Sequence, residues 1–433
     1  MSHPVTRPAS RLVPMPVFAG LSAYKVPHHP APIDLILHGN EGPATPPEAI
    51  ATVFASGAAT SELVRRYPSA AHLEALLAAR LGVEPGRVLV TAGADDALDR
   101  AFRVLLGPGR EVVLAEPTFV MLPHYARLVG AAVRSIAWPG EAFPAAAVEA
   151  AIDAQTGAVA LVSPNNPTGA MISVQTICGL AGRHPTVAML VDGAYVEMAD
   201  EDPTAAALAY PNVLVFRTFS KAWGLAGARV GYVVGAPEVI RYLRAAGPPY
   251  GVPAPSLAIA LARLESGEDA MRAYVARVRD ERVRLYDHLV ALHAQPVRSQ
   301  ANFVFARFSS APSRASASRS SRTGHALWVR DALAASGIGV RAFPGDPTMS
   351  EGVRITCPGG ERDFQRLTAA LTAACRKEHW VFSASLDALM AARAAGQIPI
   401  ALGDPDAPTA HDLMRAGVAR VVERREDLEE SFL

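Results

Sequence analysis

Lysine is scarce in this chain: only Lys25, Lys221 and Lys377 occur, and the other 38 basic residues are arginine. Arginine supplies charge and a hydrogen-bonding fork but stays protonated, whereas lysine can release a proton and become a nucleophilic amine. Chemistry that needs such an amine therefore has three candidates. Lys221 is the one set among other reactive types, in Thr218-Phe219-Ser220-Lys221 after the apolar run Val213–Arg217, with Arg229 further on. Four more apolar runs end comparably. Val88–Thr91 leads into Ala92-Gly93-Ala94-Asp95, small residues that leave backbone N–H groups free for an anion at a helix N-terminus. Glu111–Ala115 leads to Glu116-Pro117-Thr118-Phe119, an aromatic ring at the mouth. Ala158–Val162 leads to SPNNPTG (163–169), a rigid turn holding an amide side chain, and Val187–Val191 leads to Asp192 with Tyr195 close behind. Singly, each has a plain structural use: Asp192 as a helix cap, Phe119 as core, Arg229 as a surface charge. Together they form a phosphate grip (Ala94, Asp95, Thr218, Ser220, Arg229), a flat stacking face (Phe119), an acid, a phenol and an amine. A planar phosphorylated aldehyde requires that set.

These residues can converge only if the runs are strands of one sheet. From about 70 to 245 short β-branched runs, Val230–Val234 the last, alternate with Ala/Leu/Arg segments of helical period. That rhythm predicts a mostly parallel α/β sheet, whose ligand lies beyond the carboxyl ends of the strands. The expected organisation is an N-terminal arm and lid (1–50), a large domain (51–247), a connecting helix with a smaller α/β domain (248–376), and a short α/β extension (377–433). The Pro/Gly cluster at 248–255 marks the boundary, and a long Arg-rich helical stretch follows it to about His293. The Ser/Ala/Arg insert at 309–324 reads as a mobile surface loop.

Composition narrows the classes. Lys+Arg and Asp+Glu are both 41, so the formal net charge is zero, which argues against nucleic-acid binding through a basic surface and against a polybasic membrane anchor. Three widely spaced cysteines make neither a disulfide framework nor a metal cluster. No run reaches the length of a membrane span, and prolines interrupt the first twenty residues where a signal peptide needs an apolar stretch. The expectation is a cytoplasmic protein with no bound metal.

The segments RTFSKAWGLAGARVGY (217–232), SPNNPTG (163–169) and VDGAY (191–195) resemble the fold-type I pyridoxal-phosphate aminotransferases, and among them histidinol-phosphate aminotransferase most. The similarity runs from about Tyr24 to Arg376, with the motifs in order. It implies pyridoxal 5'-phosphate as cofactor. Lys221 matches the lysine that joins the cofactor's aldehyde and then moves the substrate's α-proton, as base and as acid. Asp192 matches the carboxylate facing the pyridine nitrogen. Asn166 and Tyr195 match donors to the phenolic oxygen, and Phe119 matches the ring stacked on the pyridine. Gly93, Ala94, Asp95, Thr218, Ser220 and Arg229 match the phosphate cup. Tyr67, in RRYPS, matches a tyrosine that reaches the phosphate across a dimer interface, which implies a homodimer. In GIGVRAF (337–343) and GVRITCPGG (352–360), Arg354 matches the arginine for the substrate carboxylate and Arg341 the one near its distal end. Tyr24 and Asn40 fall in the arm over the pocket.

The resemblance implies exchange of an amino group between an amino acid, glutamate first, and a keto compound such as imidazole-acetol phosphate. Some family positions differ: Gly193 replaces an acidic residue, Phe119 a common tyrosine, and Gly42, in HGNEGP (38–43), a second asparagine. These bear on substrate choice and leave open an aromatic or secondary-metabolite amino acid. A decarboxylase resembling threonine-phosphate decarboxylase is the rival on the same scaffold, and Arg354 favours transamination. Residues 377–433 read as helix, strand, helix, strand and an acidic helix, resembling an inert remnant of a haloacid-dehalogenase-type phosphatase in which Ala384 replaces a metal-binding aspartate before Asp387.

Overall fold

The apolar runs become strands of one sheet because both of their faces are buried. In Thr156–Val162 every residue is buried; Val159 and Leu161 enter one hydrophobic cluster, and Ala158, Ala160 and Val162 enter the cluster on the opposite face. A strand buried on both sides reads as a continuous apolar run rather than an alternation. The computed structural model describes residues 15–18, 21, 23, 28–55, 57–308 and 319–429. After the short strand β1 (Leu35–Ile36), the large sheet contains β2 (Val88–Thr91), β3 (Glu111–Glu116), β4 (Ala132–Ala137), β5 (Thr156–Val162), β6 (Ala188–Asp192), β7 (Val213–Thr218) and β8 (Gly231–Val234). Their order is β2-β8-β7-β6-β5-β3-β4, with β8 antiparallel to both its neighbours and the other pairs parallel. The expected mostly parallel sheet is therefore present. β4 was not expected, because it is an edge strand with no fully buried residue and so carries no apolar run.

The Arg-rich stretch is two helices, Ala254–Ser266 and Glu268–Ala291, interrupted at Gly267. A β-carbon there would stand 2.6 Å from the Arg263 carbonyl oxygen. Beyond them, β9 (Gln295–Pro296), β10 (Phe303–Arg307), β12 (Arg341–Ala342) and β13 (Gly352–Thr356) form an antiparallel sheet in the order β12-β13-β10-β9. Separately, β1 of the arm pairs in parallel with β11 (Ile338–Gly339). Helices Arg319–Ala335 and Glu361–Cys375 cover this region. The surface loop expected over 309–324 is thus shortened: Arg319 already begins a helix, and 309–318 lie outside the described residues.

The extension differs from its reading at one end. Trp380–Ser383 is a strand, β14, not a helix, because Trp380 is drawn into the hydrophobic cluster under the Arg319–Ala335 helix. It joins β15 (Ile398–Leu402) and β16 (Arg420–Val422) in a parallel sheet. One face of that sheet, through Trp380, Ile398, Ile400 and Val422, shares the core of the preceding region; the other, through Ala401 and Val421, packs with Leu389, Ala410 and Val418. The turn 383–387 carries a helix cap: Ser385 Oγ accepts from the Ala388 N–H at 3.4 Å, which puts Asp387 in the first turn of helix Leu386–Ala394. Among the described residues no helix is long and apolar enough to cross a membrane.

Candidate active site

Parallel strands deliver their carboxyl ends to one edge, and most of the singled-out residues meet there. Lys221, just past β7, donates from Nζ to the Gly39 carbonyl at 3.0 Å, and its ammonium lies 5.6 Å from the centre of the Tyr195 ring. Asp192 ends β6 and is buried; its Oδ1 accepts from the Ala194 N–H at 3.1 Å. Among the described residues no arginine or lysine is within ion-pair distance of it. Burial accordingly pushes the carboxyl up to about 7, with the Ala194 N–H pulling the other way, Asp95 adding to the rise and Lys221 opposing it.

Tyr195 and Asn166 have their donor roles set by neighbours. Asn40 donates from Nδ2 to the Tyr195 hydroxyl oxygen at 3.0 Å, which leaves the phenol proton for another acceptor. Arg354 donates from Nη1 to Asn166 Oδ1 at 2.5 Å and from Nη2 to the His38 carbonyl at 2.6 Å. Arginine has no acceptor, so the Asn166 oxygen must face it and the NH2 group must face the other way. Asn40, expected among the substrate contacts, is tied to the phenol in this structure. It is buried, its oxygen lies 2.9 Å from the Thr356 hydroxyl and its nitrogen is engaged by Tyr195, so it supports the phenol.

The anion cup also assembles. Gly93 precedes the helix Ala94–Leu105 with φ 84°, and a β-carbon on it would come within 2.5 Å of the Arg229 guanidinium. Arg229 lies 3.4 Å from the Ser220 hydroxyl and 3.5 Å from the Asp95 carboxylate; Thr218 donates to Ser220 Oγ at 2.9 Å. The Asp95 carboxylate is thus turned to Arg229 and to Tyr125, whose hydroxyl donates to it at 3.3 Å, leaving the Asp95 backbone at the helix start. Phe119 is half-buried beside this edge. Thr118 next to it donates to Asn165 Oδ1, and Asn165 donates to the Pro117 carbonyl and to Thr168. Asn165, absent from the sequence-based set, clamps the two loops together.

In the smaller sheet Arg341 lies directly opposite Arg354 in the β12–β13 register, so the two side chains share a face. His38 joins them: its imidazole pKa is lowered by burial first, with Glu41 opposing and Arg341 and Arg354 adding to the drop. The sequence reading missed His38, although it opens the quoted HGNEGP stretch. Tyr67 is not brought to Lys221 within this chain. It is 81% exposed and stacks on Tyr250, with ring centres 4.4 Å apart. Tyr24 lies outside the described residues.

Known proteins match this arrangement. The family described as Aminotransferase class I and II matches residues 36–371. Histidinol-phosphate aminotransferase of Ruegeria sp. (strain TM1040) is 36% identical over 63% of this chain and 76% of its own. Aromatic amino acid aminotransferase of Corynebacterium jeikeium is 34% identical over 86% and 98%. In three dimensions, histidinol-phosphate aminotransferase from Sinorhizobium meliloti, solved with pyridoxal-5'-phosphate, superimposes with a TM-score of 0.72 at 23% identity, covering 85% of this chain and 98% of that one. That likeness shows the fold-type I architecture. The phosphatase likeness of 377–433 is not borne out: the family match stops before it, and the relatives named here are all aminotransferases. A match covering most of the sequence, together with the shared architecture, establishes that the chain belongs to the class I and II aminotransferases and is a pyridoxal-phosphate-dependent enzyme.

Proposed function

We propose that the chain transfers an amino group from glutamate to a phosphorylated keto compound, with imidazole-acetol phosphate as the first candidate, at a site centred on Lys221. The residues fit the cofactor. Asp192 is a buried carboxylate lacking a cationic partner among the described residues, as a site for a protonated ring nitrogen needs. The space a Gly93 side chain would fill is taken by the Arg229 guanidinium, and Thr218, Ser220 and the start of helix Ala94–Leu105 complete an anion cup. Pyridoxal phosphate, when bound, supplies an aldehyde that captures the amino nitrogen and a ring that accepts the electrons released at the α-carbon. The chain's residues then have separate tasks. Lys221 Nζ takes the α-proton from the substrate and later returns a proton, as general base and then acid. Asp192 would hold the ring-nitrogen proton in place, Tyr195 Oη–H and Asn166 Nδ2 would donate to the phenolic oxygen, and Phe119 would cover the ring. Arg354 turns from His38 and Asn166 to grip the substrate's anionic end as a bidentate pair.

The substrate class rests on one observation: Arg341 and Arg354 face each other across β12 and β13, a pair suited to a molecule with two anionic ends. A second reading, an aromatic amino acid as substrate, is favoured by the Corynebacterium jeikeium relative, which is matched over nearly its whole length. We further read the chain as the expected arm, two domains and extension, working as a cytoplasmic homodimer in which Tyr67 reaches the partner's anion cup. A donor–acceptor screen tests the proposal. Glutamate should yield 2-oxoglutarate and shift the cofactor's absorbance to that of the amine form, and imidazole-acetol phosphate should reverse it faster than phenylpyruvate does. Carbon dioxide release from an amino acid would instead indicate a decarboxylase. Lys221→Ala should lose the lysine-dependent absorbance band and lower turnover by about 1,000-fold or more.

A further inference from the structure

Residues 377–433 lie beyond residues 36–371, the part matched by the aminotransferase family, and the structure ties them to the arm through a buried carboxylate. Asp331, in helix Arg319–Ala335, is 5% exposed. Three cationic or proton-bearing groups from three parts of the chain meet it. Arg420 of β16 donates from Nη2 to Oδ2 at 2.8 Å; Arg330 of the same helix donates from Nε to Oδ1 at 2.7 Å; His29 of the arm lies with Nε2 3.4 Å from Oδ1. His29 Nδ1 accepts from the Ala31 N–H at 3.2 Å, which leaves Nε2 as the protonated nitrogen, and its 3.4 Å approach to Asp331 is an electrostatic contact rather than a hydrogen bond. A second bond from the extension falls one turn on. Arg393 donates from Nε to the Ala335 carbonyl at 2.7 Å, on the same face of the helix as Asp331.

From this point the arm runs straight into the active site. Asp34 takes both Arg366 nitrogens at 2.7 and 2.6 Å, and β1 pairs with β11 immediately after the Arg319–Ala335 helix. His38 then gives its carbonyl to Arg354, Gly39 gives its carbonyl to Lys221, and Asn40 holds Tyr195. We propose that the C-terminal extension is a brace for this arm: Arg420, acting through Asp331 and His29, is a positioning residue that sets where segment 33–40 presents its backbone to Lys221 and Arg354. The extension needs no chemistry of its own for this role. Its sheet shares a core with the Arg319–Ala335 helix, so it can hold the last turns of that helix rigidly. A buried acid shared by several partners couples their positions, because moving one leaves the carboxylate under-compensated.

The test uses the full-length holoenzyme and the variants Arg420→Met, His29→Gln, their combination, and Arg420→Lys. Amide hydrogen exchange of segment 33–40 is read first, since it requires no substrate and so stands apart from the proposed reaction. Both single variants should speed exchange there, and the double should add little to the larger single effect. With whichever amino donor proves active, KM should rise about threefold to tenfold while kcat stays within about twofold, and Arg420→Lys should restore part of the loss. Unchanged exchange of 33–40 in folded Arg420→Met, or full additivity in the double variant, would overturn the brace. If Arg420→Met fails to fold, His29→Gln, which leaves the Arg420–Asp331 pair in place, carries the same readouts, and unchanged exchange there sinks the proposal.

Discussion

Asp192 shows how one residue can lower stability and serve function at once. Its ordinary carboxyl value is 3.8, and burial raises it to about 7 in the cofactor-free chain. The unfolded chain ionises it above 3.8 while the folded chain keeps the proton until about 7, so folding loses stability as pH rises between those values and the loss levels off above. Asp192→Asn removes this dependence. The variant should unfold at a higher temperature than the parent at pH 8 when both lack cofactor, by about 2–4 kcal/mol of stability, and the advantage should shrink toward pH 4. Its turnover should fall about 100-fold or more, because a neutral amide cannot oppose a charged ring nitrogen. Calorimetry across pH together with steady-state rates checks both halves, and an equal gain at pH 4 and pH 8 would show that burial of charge is not the cause. The residue was legible in the sequence because it is the first acid after a fully apolar strand. The support given by Asn40 was not, since it depends on a tyrosine 155 positions away that only the folded chain brings near.

At the scale of elements, the arm lies directly on the turn that carries Lys221. A β-carbon at Gly42 would fall 1.7 Å from the Lys221 carbonyl oxygen, and one at Gly224, where φ is 72°, would fall 2.2 Å from the Pro43 carbonyl oxygen. The glycine that replaces the family's asparagine is therefore demanded by backbone contact, which sequence reading could take only as a matter of substrate choice. Gly42→Ala should force the arm off the turn, costing about 1–3 kcal/mol of stability and at least about tenfold in kcat/KM, measured by thermal unfolding and steady-state kinetics. A fully active variant would mean that the arm stands away from Lys221 in solution. The same contrast runs through the whole fold. Strands buried on both faces announced themselves as apolar runs, and their ends gave the site. The half-exposed edge strand β4 did not, nor did β14, whose Trp380 is buried against Trp328 of the Arg319–Ala335 helix, with ring centres 4.6 Å apart. What the sequence hides is contact made at long range.

For the whole molecule, Tyr67 carries the argument. It is 81% exposed and stacked on Tyr250, itself 53% exposed, so one chain leaves a pair of aromatic rings in water. Exposed rings clustered in this way mark surfaces that bind something. In the proposed homodimer, two-fold symmetry makes such a contact reciprocal: if one chain's pair reaches its partner's site, the partner's pair reaches the first chain's, because a closed dimer uses the same patch twice. Each active site then combines Lys221 from one chain with Tyr67 from the other, and this predicts complementation between two damaged chains. Lys221→Ala and Tyr67→Ala homodimers should both be impaired, the first severely and the second through weaker cofactor binding. Co-expressed and purified as a mixture, half of the dimers should be mixed, and each mixed dimer should hold one site with both residues intact. Activity at limiting cofactor should then rise to roughly a quarter of the parent's. A mixture no more active than the average of its parents would place Tyr67 in the same chain's site or outside any site, and would remove the reason for assigning this surface to a dimer.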